Sequence, residues 1–431
     1  MNPSLRLSTL ASLLLAFFCF TNSANAQTFK TLSPSEHCRD FSQDAIVTFT
    51  DQNLAHVVNE ALGLDTDAVI SCRQAASLEQ LIVGTTIERV VYGGTLRPSP
   101  ERPFKSLEGI QNLTGLTKLN LINRLITDIS PLSHLTKLIS LNLHTNWFSD
   151  LSPISGLTNL EQLIVSENPI SDISPLAGLT KLQRLHVHGL YPYQLVHYLK
   201  MDDGRDPNVT FNNITDISPL SGLTEMRLLR IHLNAISDVS PLANLKKLTH
   251  LRIYDSQIKD ISALTDLKEL TLLWAHNNQI EDISALKGMI NMRQLSLNDN
   301  AISDVSGLKD MTELGYLFLS NNAIENISPL RRLHRLQILR LENNNITDVS
   351  ALAGLDQLKE LSLAQNWSLY DVKALLLNPG IGKGDELDLR FTYVPCSEMD
   401  AFASLGINLL RVTAINGSAC TNRRLEDDQG F

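Results

Sequence analysis

The chain has 431 residues, a formal net charge of −10, 43% hydrophobic residues and 19% charged residues. A composition this close to the average of globular proteins excludes a disordered acidic tail, a collagen and a disulfide-dense miniprotein. The negative charge argues against nonspecific nucleic-acid binding, which requires a basic surface.

The first 26 residues have the features of an export signal. Arg6 precedes the apolar run Leu10–Phe20, and the segment ends in Ala24-Asn25-Ala26, which matches an A-x-A cleavage site. The apolar run is shorter than the ~20 residues that a membrane-spanning helix needs. We therefore expect a secreted or periplasmic protein with no membrane span in its mature chain. An uncleaved membrane anchor is the alternative.

Four cysteines follow this signal: Cys38, Cys72, Cys396 and Cys420. In an exported protein four cysteines suggest two disulfides, with three possible connectivities. Two cysteines lie near each end of the chain, and bridged Cα atoms must lie within about 7 Å of each other. Pairing within each end is the geometry that leaves an extended body intact, so we expect Cys38–Cys72 and Cys396–Cys420.

A 22-residue period runs through the middle of the chain. It is marked by aspartates spaced by 22 residues or a multiple of 22: Asp128, Asp150, Asp172, Asp216, Asp238, Asp260, Asp282, Asp304 and Asp348. An asparagine usually stands four residues before the aspartate, and Leu-x-x-Leu-x-Leu precedes it, as at Leu138, Leu141 and Leu143. This unit is the leucine-rich repeat signature.

The spacing predicts the local structure of each unit. Leu-x-Leu alternates with period two and is therefore a short strand with inward leucines. The asparagine closes the following turn, and Ser-Pro begins a tight helical turn in the return segment. Stacked units predict an α/β solenoid, a leucine-rich repeat arc with a concave parallel sheet and short helical turns on its convex side.

The predicted organisation has five parts. They are an export signal (1–26), an N-terminal cap (27–86), the repeat array (87–383), a C-terminal repeat and cap (384–422) and a polar tail (423–431). Asp51 is expected to cap a helix over Gln52–Leu62 with Gly63 as its stop, and a further helix is expected over Asp371–Leu377. The last strands are expected at Glu386–Phe391 and Leu409–Val412.

Two units depart from the consensus. A degenerate first unit, Ile87–Tyr92, precedes a proline-rich loop. In the unit over residues 182–203, Leu190 replaces the asparagine, although the length remains 22 residues. We expect the solenoid register to survive there, with the next unit beginning at Gly204. The irregularity is either simple repeat decay, which we favour, or a local functional bulge.

The repeats resemble those of internalin-type, 22-residue leucine-rich repeat proteins of bacteria. Phe49–Gly63 resembles the N-terminal cap helix of exported members, and Asn378–Leu389 resembles a terminal unit common among them. The resemblance covers about residues 46–412. It implies protein recognition as the usual role.

No enzyme motif is present: the chain has no H-E-x-x-H, no G-x-S-x-G and no P-loop. We therefore expect a protein that is not an enzyme and needs no cofactor and no metal. His144, His188, His232 and His276 recur every 44 residues, directly after the second inward residue of a strand. We expect them to face solvent about 10 Å apart, too far to share one ion. Repeat inheritance is favoured over a pH-sensitive ligand surface, and both over a metal site.

The concave positions of the later repeats are rich in the residue types of binding hot spots. The candidate ligand-binding residues are Arg230, His232, Arg252, Tyr254, Trp274, His276, Tyr316, Phe318 and Arg340. Trp274 is the expected centre, with a shallow dip over Ser296 between Trp274 and Phe318. The sequence thus favours binding of a protein or peptide on the concave face. Large side chains that merely cover the sheet, and a carbohydrate-binding extracellular module, are the alternatives.

Overall fold

The computed structural model describes residues 29–83, 103–190 and 213–410. Within these residues, one parallel sheet contains 14 strands whose spatial order is the same as their order in the chain. Its strands are β3 Gln80–Val83, β4 Lys118–Leu121, β5 Ser140–Asn142, β6 Gln162–Ile164, β7 Arg184–His186, β8 Leu228–Arg230, β9 His250–Arg252, β10 Leu272–Trp274, β11 Gln294–Ser296, β12 Tyr316–Phe318, β13 Ile338–Arg340, β14 Glu360–Ser362, β15 Glu386–Asp388 and β16 Asn408–Leu410. The predicted leucine-rich repeat solenoid is confirmed.

One inward leucine from each repeat strand forms a continuous column through the core. Leu251, Leu273 and Leu295 are in register on neighbouring strands, and all three are fully buried. The residues on either side of these leucines point to the opposite face of the sheet, because side chains alternate along a strand. The column therefore fixes which side chains reach the solvent face, which we call the concave face.

Short 3-10 helices form the return segments on the other side of the core. Most start at the serine of the repeat, and several have proline in their first turn, as in Ser218–Leu220. Asp216, from the periodic series, accepts hydrogen bonds through Oδ1 from the Ser218 amide nitrogen (2.8 Å) and through Oδ2 from the Ser218 hydroxyl (3.0 Å). The recurring aspartate thus stabilises the start of each 3-10 helix through these hydrogen bonds, which explains why it recurs at a strict spacing.

The repeat asparagines form a buried hydrogen-bonded ladder after the strands. Asn278 donates through Nδ2 to the carbonyls of Ile253 and Ala275, each at 3.0 Å, and its Oδ1 accepts from the Ile258 amide at 3.0 Å. Each asparagine therefore ties its own turn to the preceding repeat, as the sequence predicted. The residue before it has a left-handed backbone, as at Asn277 with φ 53°.

The N-terminal cap contains two helices, α1 Gln52–Ala61 and α2 Cys72–Ser77, and two antiparallel strands, β1 Ile46–Val47 and β2 Ile70–Ser71. Asp51 Oδ1 accepts from the Leu54 amide at 3.1 Å, which confirms the predicted cap of α1. The predicted Cys38–Cys72 disulfide is present, with its Cα atoms 5.5 Å apart. Strand β3, within the range assigned to the cap, starts the long sheet, whereas the degenerate unit Ile87–Tyr92 lies outside the described residues.

At the C-terminal end, two helices pack beside the last strands. They are α3 Lys373–Leu376 and α4 Cys396–Ser404, and they contact each other. Helix α3 and strand β15 are shorter than the sequence predicted, and the end of the predicted strand Leu409–Val412 lies outside the described residues. Cys420 lies outside the described residues, so the Cys396–Cys420 disulfide stays a prediction.

The irregular unit does not keep the predicted strand spacing. Strand β7 pairs directly with β8, and Leu185 lies opposite Leu229, 44 residues later. The unit expected to begin at Gly204 therefore places no strand between them. The inward leucines stay in register, but an insertion of a whole period in length cannot be told from a repeat by counting, which is why a strand between β7 and β8 was wrongly expected.

Candidate functional site

The candidate site is centred on a row of side chains across four neighbouring strands. Arg252 on β9, Trp274 on β10, Ser296 on β11 and Phe318 on β12 occupy matched positions. The Arg252 guanidinium carbon lies 3.9 Å from the Trp274 ring centroid. This is a cation–π contact, which orients the arginine over the ring face.

Ser296 lies between Trp274 and Phe318 in this row, at the position where the sequence predicts a dip. Trp274 and Phe318 are half-buried, while the small side chain of Ser296 between them is only 7% exposed. Parallel strands lie about 4.8 Å apart, so the backbone positions of Trp274 and Phe318, two strands apart, are about 10 Å from each other. Tyr316, half-buried on the same strand as Phe318, extends this surface.

Beside this row runs a ladder of stacked rings: His188, His232, Tyr254 and His276. Their successive ring centroids are 4.3, 4.1 and 4.2 Å apart, and the ring planes are within 22° of parallel. The expected separation of about 10 Å was wrong for His188 and His232, because β7 and β8 are neighbours. Between His232 and His276 the intervening strand supplies Tyr254, which fills the gap with a fourth ring.

Because of the stacking, these residues are less exposed than the sequence predicted. His232 is 4% exposed and Tyr254 is 3% exposed, so the expectation that both present open surface was wrong. The side chains turn along the edge of the sheet and cover one another. The two ends of this ladder, His188 and His276, are half-buried, and His276 Nδ1 lies 3.1 Å from the Ser296 hydroxyl.

Burial keeps the ladder histidines neutral. Desolvation, together with the nearby His144, lowers the pKa of His188 to about 4, although Glu167 opposes this shift. Desolvation first, and then the charges of His188 and Arg252, lower the pKa of His232 well below its usual range. At neutral pH the ladder is therefore an uncharged, mainly apolar ridge.

His144, the first member of the predicted series, is buried apart from the stack. Its ring lies 6.1 Å from His188, its Nδ1 lies 3.1 Å from the Ser166 carbonyl oxygen, and its Nε2 lies 3.8 Å from Glu167. Glu167 also accepts a hydrogen bond from the Thr145 hydroxyl at 3.0 Å. No group of three or more metal-ligating side chains suited to an ion occurs among the described residues.

The remaining candidate residues lie on either side of the row. Arg230 is directly opposite Arg252, whereas Arg340 is opposite Phe318 on the far side. Arg340 forms an ion pair with Glu342 (Nη1 to Oε1, 3.3 Å) and another with Glu360 on the next strand. Arg340 is therefore neutralised by its own surroundings, which weakens the case for it as a ligand contact.

A second aromatic surface was missed by the sequence reasoning. Trp367 and Phe391 have ring centroids 5.9 Å apart, and Tyr370 stacks on Tyr393 at 5.2 Å. Trp367, Tyr370 and Tyr393 are all substantially exposed. They follow β14 and β15 at turn positions, where the repeat consensus has no aromatic residue, and that departure was the available signal.

The sheet, the asparagine ladder and the 3-10 return segments define the chain as a leucine-rich repeat protein. Residues 246–288, 290–332 and 334–372 match the family model described as leucine-rich repeats in two copies. A solved internalin, inlF of Listeria monocytogenes, is 31% identical, with a TM-score of 0.70 over 85% of this chain and 96% of its own. The chain belongs to the internalin family.

Internalin C2 (inlC2) of the same organism is 28% identical, with a TM-score of 0.45 over 63% of this chain and 93% of its own. No curated protein matches in the corresponding sequence comparison. In the part of the chain that the structure describes, no helix has the length and apolar character needed to cross a membrane.

Proposed function

We propose that this protein is an exported, non-catalytic scaffold that binds a protein or peptide on its concave face, centred on Trp274. The observation that carries the proposal is the in-register row of Arg252, Trp274, Ser296 and Phe318, in which a small residue stands between two aromatic ones. Half-buried aromatic residues and arginine around a pocket are typical of binding hot spots. Membership of a leucine-rich repeat family supports the same role.

The shape of the surface favours a side chain as the group that is bound. The Arg252 guanidinium shields one face of Trp274, so a ligand is left to approach from the Ser296 side. An aromatic or branched apolar side chain would pack against Trp274 and Phe318. The expected export rests on the signal-like segment 1–26, which lies outside the described residues.

Affinity capture tests the proposal. The immobilised chain from residue 27 onward should retain a discrete protein or peptide from extracts and culture fluids of the source organism and its surroundings. A matched resin with Trp274→Ala should lose that species, and one with Lys287→Ala, changed at an exposed site on the convex side, should keep it. Equal capture by the Trp274→Ala resin would show that the binding site does not lie on this face.

The exposed Trp367, Tyr370 and Tyr393 favour a second candidate function, polysaccharide binding at the C-terminal end of the array. Exposed aromatic rings can stack on the apolar faces of sugar rings. Glycan-array binding that is lost in Tyr393→Ala and kept in Trp274→Ala would support this candidate. An array without signal would exclude it.

A further inference from the structure

Four aromatic side chains lie together in the turns after β14 and β15. Trp367 pairs with Phe391 and Tyr370 stacks on Tyr393, and we call these four residues the aromatic cluster. Trp367 and Tyr393 occupy matched positions, where the three preceding repeats have Ala301, Ala323 and Asn345. Since Trp367, Tyr370 and Tyr393 are exposed, the aromatic cluster adds surface that the core of the repeats does not require.

The backbone of Phe391 indicates that its ring does not serve the turn itself. Its φ is 58°, in the left-handed region that asparagine, aspartate and glycine tolerate best. The same position in the three preceding repeats holds Asn321, Asn343 and Gln365. A bulky aromatic residue is the less favourable choice for this backbone, so its side chain serves the chemistry of the surface.

A line of polar side chains leads along the turns to the aromatic cluster. Asn321 donates through Nδ2 to Asp299 Oδ1 at 2.7 Å, and Asn343 donates through Nδ2 to Asn321 Oδ1 at 3.0 Å. Gln365 holds the next position, and all four side chains, which we call the polar ladder, are exposed. An amide has two N–H groups and an oxygen with two lone pairs, so these bonds leave it further donors and acceptors.

The polar ladder and the aromatic cluster share one regular spacing. The backbone N–H of Asn321 donates to the Glu342 carbonyl and that of Gln365 donates to the Arg390 carbonyl, both at 2.8 Å. The turns therefore continue the spacing of the parallel sheet, about 4.8 Å per repeat. Asp299 and Phe391 are four repeats apart, which makes a surface roughly 19 Å long.

The charges around the aromatic cluster disfavour an acidic ligand. Asp299 presents an exposed carboxylate at the start of the polar ladder. The cations nearest in sequence to the rings are engaged. Arg390 donates to Asp388 through Nε at 2.9 Å and through Nη2 at 2.7 Å, and Lys373 forms an ion pair with Glu398 at 3.2 Å. An uncharged ligand therefore suits this surface better than an anionic one.

We propose that the turns after β11 to β15 bind a linear, uncharged polysaccharide of β-1,4-linked pyranose units in an extended form. This inference rests on the polysaccharide-binding candidate above and names the class of its ligand. Pyranose rings with equatorial substituents expose flat C–H faces, which would stack on Trp367 and Tyr393. Their hydroxyl groups both donate and accept hydrogen bonds, as the side chains of the polar ladder require.

The regularity of the surface favours a polysaccharide over a polypeptide. Regularly spaced amide groups and open ring faces suit a ligand that is built from one repeated unit. The units of an extended β-1,4-linked chain repeat at a distance close to the spacing of the turns, so successive sugar units would meet successive repeats.

Defined oligosaccharides test the inference by calorimetric titration. The probes are cellohexaose and hexa-N-acetylchitohexaose, and we expect saturable binding of at least one of them. Maltohexaose contains the same glucose units as cellohexaose, but its α-1,4 links curve the chain away from a straight line. Maltohexaose and the anionic polygalacturonate should each bind at least about tenfold more weakly than the better probe.

Three variants identify the surface responsible. Trp367→Ala should weaken binding of the better probe by about tenfold or more, whereas Trp367→Phe, which keeps a ring, should lose less. Gln257→Ala changes an exposed residue at the same turn position in the repeat of β9 and should alter binding by less than about twofold. All three should melt close to the wild-type temperature, because the changed side chains are exposed.

Several results would overturn the inference. They are failure of both hexamers to bind, equal binding of maltohexaose, and unchanged affinity in Trp367→Ala. Capture of a protein that Trp367→Ala abolishes, without any binding of sugar, would assign the surface to a protein and would overturn it as well. Each of these leaves the proposed protein-binding site standing if affinity capture still depends on Trp274. Normal sugar binding together with undiminished capture by Trp274→Ala would instead refute the proposed protein-binding site alone.

Discussion

The turns that follow the strands of the long sheet form two regions with different side chains, although the backbone repeats in both. The second position after the strand holds His144 after β5, Ser166 after β6, and His188, His232, Tyr254 and His276 after β7 to β10; the last four rings stack. From β11 to β14, the same position holds Asn298, Ser320, Glu342 and Ala364. The buried asparagine ladder beneath is the same in both regions, as at Asn278 and Asn344.

This difference separates the residues that maintain the repeat fold from those that are specific to one region of the array. The inward leucines, the asparagine and the capping aspartate are repeated because each closes a backbone hydrogen-bond requirement or fills the core. The second position after the strand is not repeated in this way: in the C-terminal region it holds Asn298, Ser320, Glu342 and Ala364, and the first three of these are linked by hydrogen bonds. The ring ladder, which adjoins Arg252 and Ser296, is therefore an added feature of the region that we propose to bind ligand.

Core truncation should affect both regions alike and have the largest effect. Leu251→Ala in the ring-ladder region and Leu339→Ala in the C-terminal region both remove fully buried inward leucines. Each should lower the free energy of unfolding by about 2–5 kcal/mol, as deletion of buried methyl groups does. Urea unfolding followed by circular dichroism measures both. A cost below about 1 kcal/mol at only one site would mean that the two regions do not share one core.

Acid should distinguish the regions. The folded pKa of His188 is about 4, below the ordinary 6.5, so its neutral form stabilises the fold fully above pH ~6.5. That contribution is lost as pH falls toward the folded pKa, and at pH 5 His188 alone would account for about 2 kcal/mol. His232 shifts in the same direction, so hydrogen exchange at pH 5 should rise first in β7 to β10.

His232→Tyr provides the matched control for the acid experiment. It copies Tyr254 of the next strand, retains a ring in the stack and removes one titratable group. The variant should lose less stability between pH 7 and pH 5 than the wild type does. An unchanged pH dependence would show that the buried ladder is not the source of acid sensitivity.

The residue directly before each repeat asparagine has a left-handed backbone. Replacing it by asparagine should change the free energy of unfolding in opposite directions in the two regions. Glu167→Asn removes a buried acceptor of the Thr145 hydroxyl and should cost about 1–2 kcal/mol. Gln365→Asn, at an exposed residue with φ 59°, should stabilise by a few tenths of a kcal/mol, because asparagine tolerates this conformation better. Thermal melts at pH 7 compare them, and stabilisation by both substitutions would contradict the distinction.

The fold was predictable because each of its rules is local and repeated. The period of the leucines determines the strands, and Asp51 with Gly63 marks α1 at nearly its observed bounds. The disulfide Cys38–Cys72 followed from placement of cysteines at one end. The direct pairing of β7 with β8 was not predictable, because an insertion one period long preserves every count.

The candidate site was predictable only in part. The row through Trp274 follows from alternation and strand order, both of which the sequence fixes locally. The burial of His232 and Tyr254 does not follow, since it arises from stacking between repeats and depends on which strands are neighbours. Trp367 and Tyr393 escaped notice because they stand at turn positions, whose orientation no periodicity determines.

Calorimetric titration of the captured ligand into three proteins tests the central claim most directly. Compared with the wild type, Trp274→Ala should bind at least about thirtyfold more weakly, which corresponds to about 2 kcal/mol for a central aromatic anchor. Lys287→Ala should bind as the wild type does, and all three should melt at similar temperatures. Wild-type affinity in a folded Trp274→Ala protein would contradict binding at the concave face around this residue.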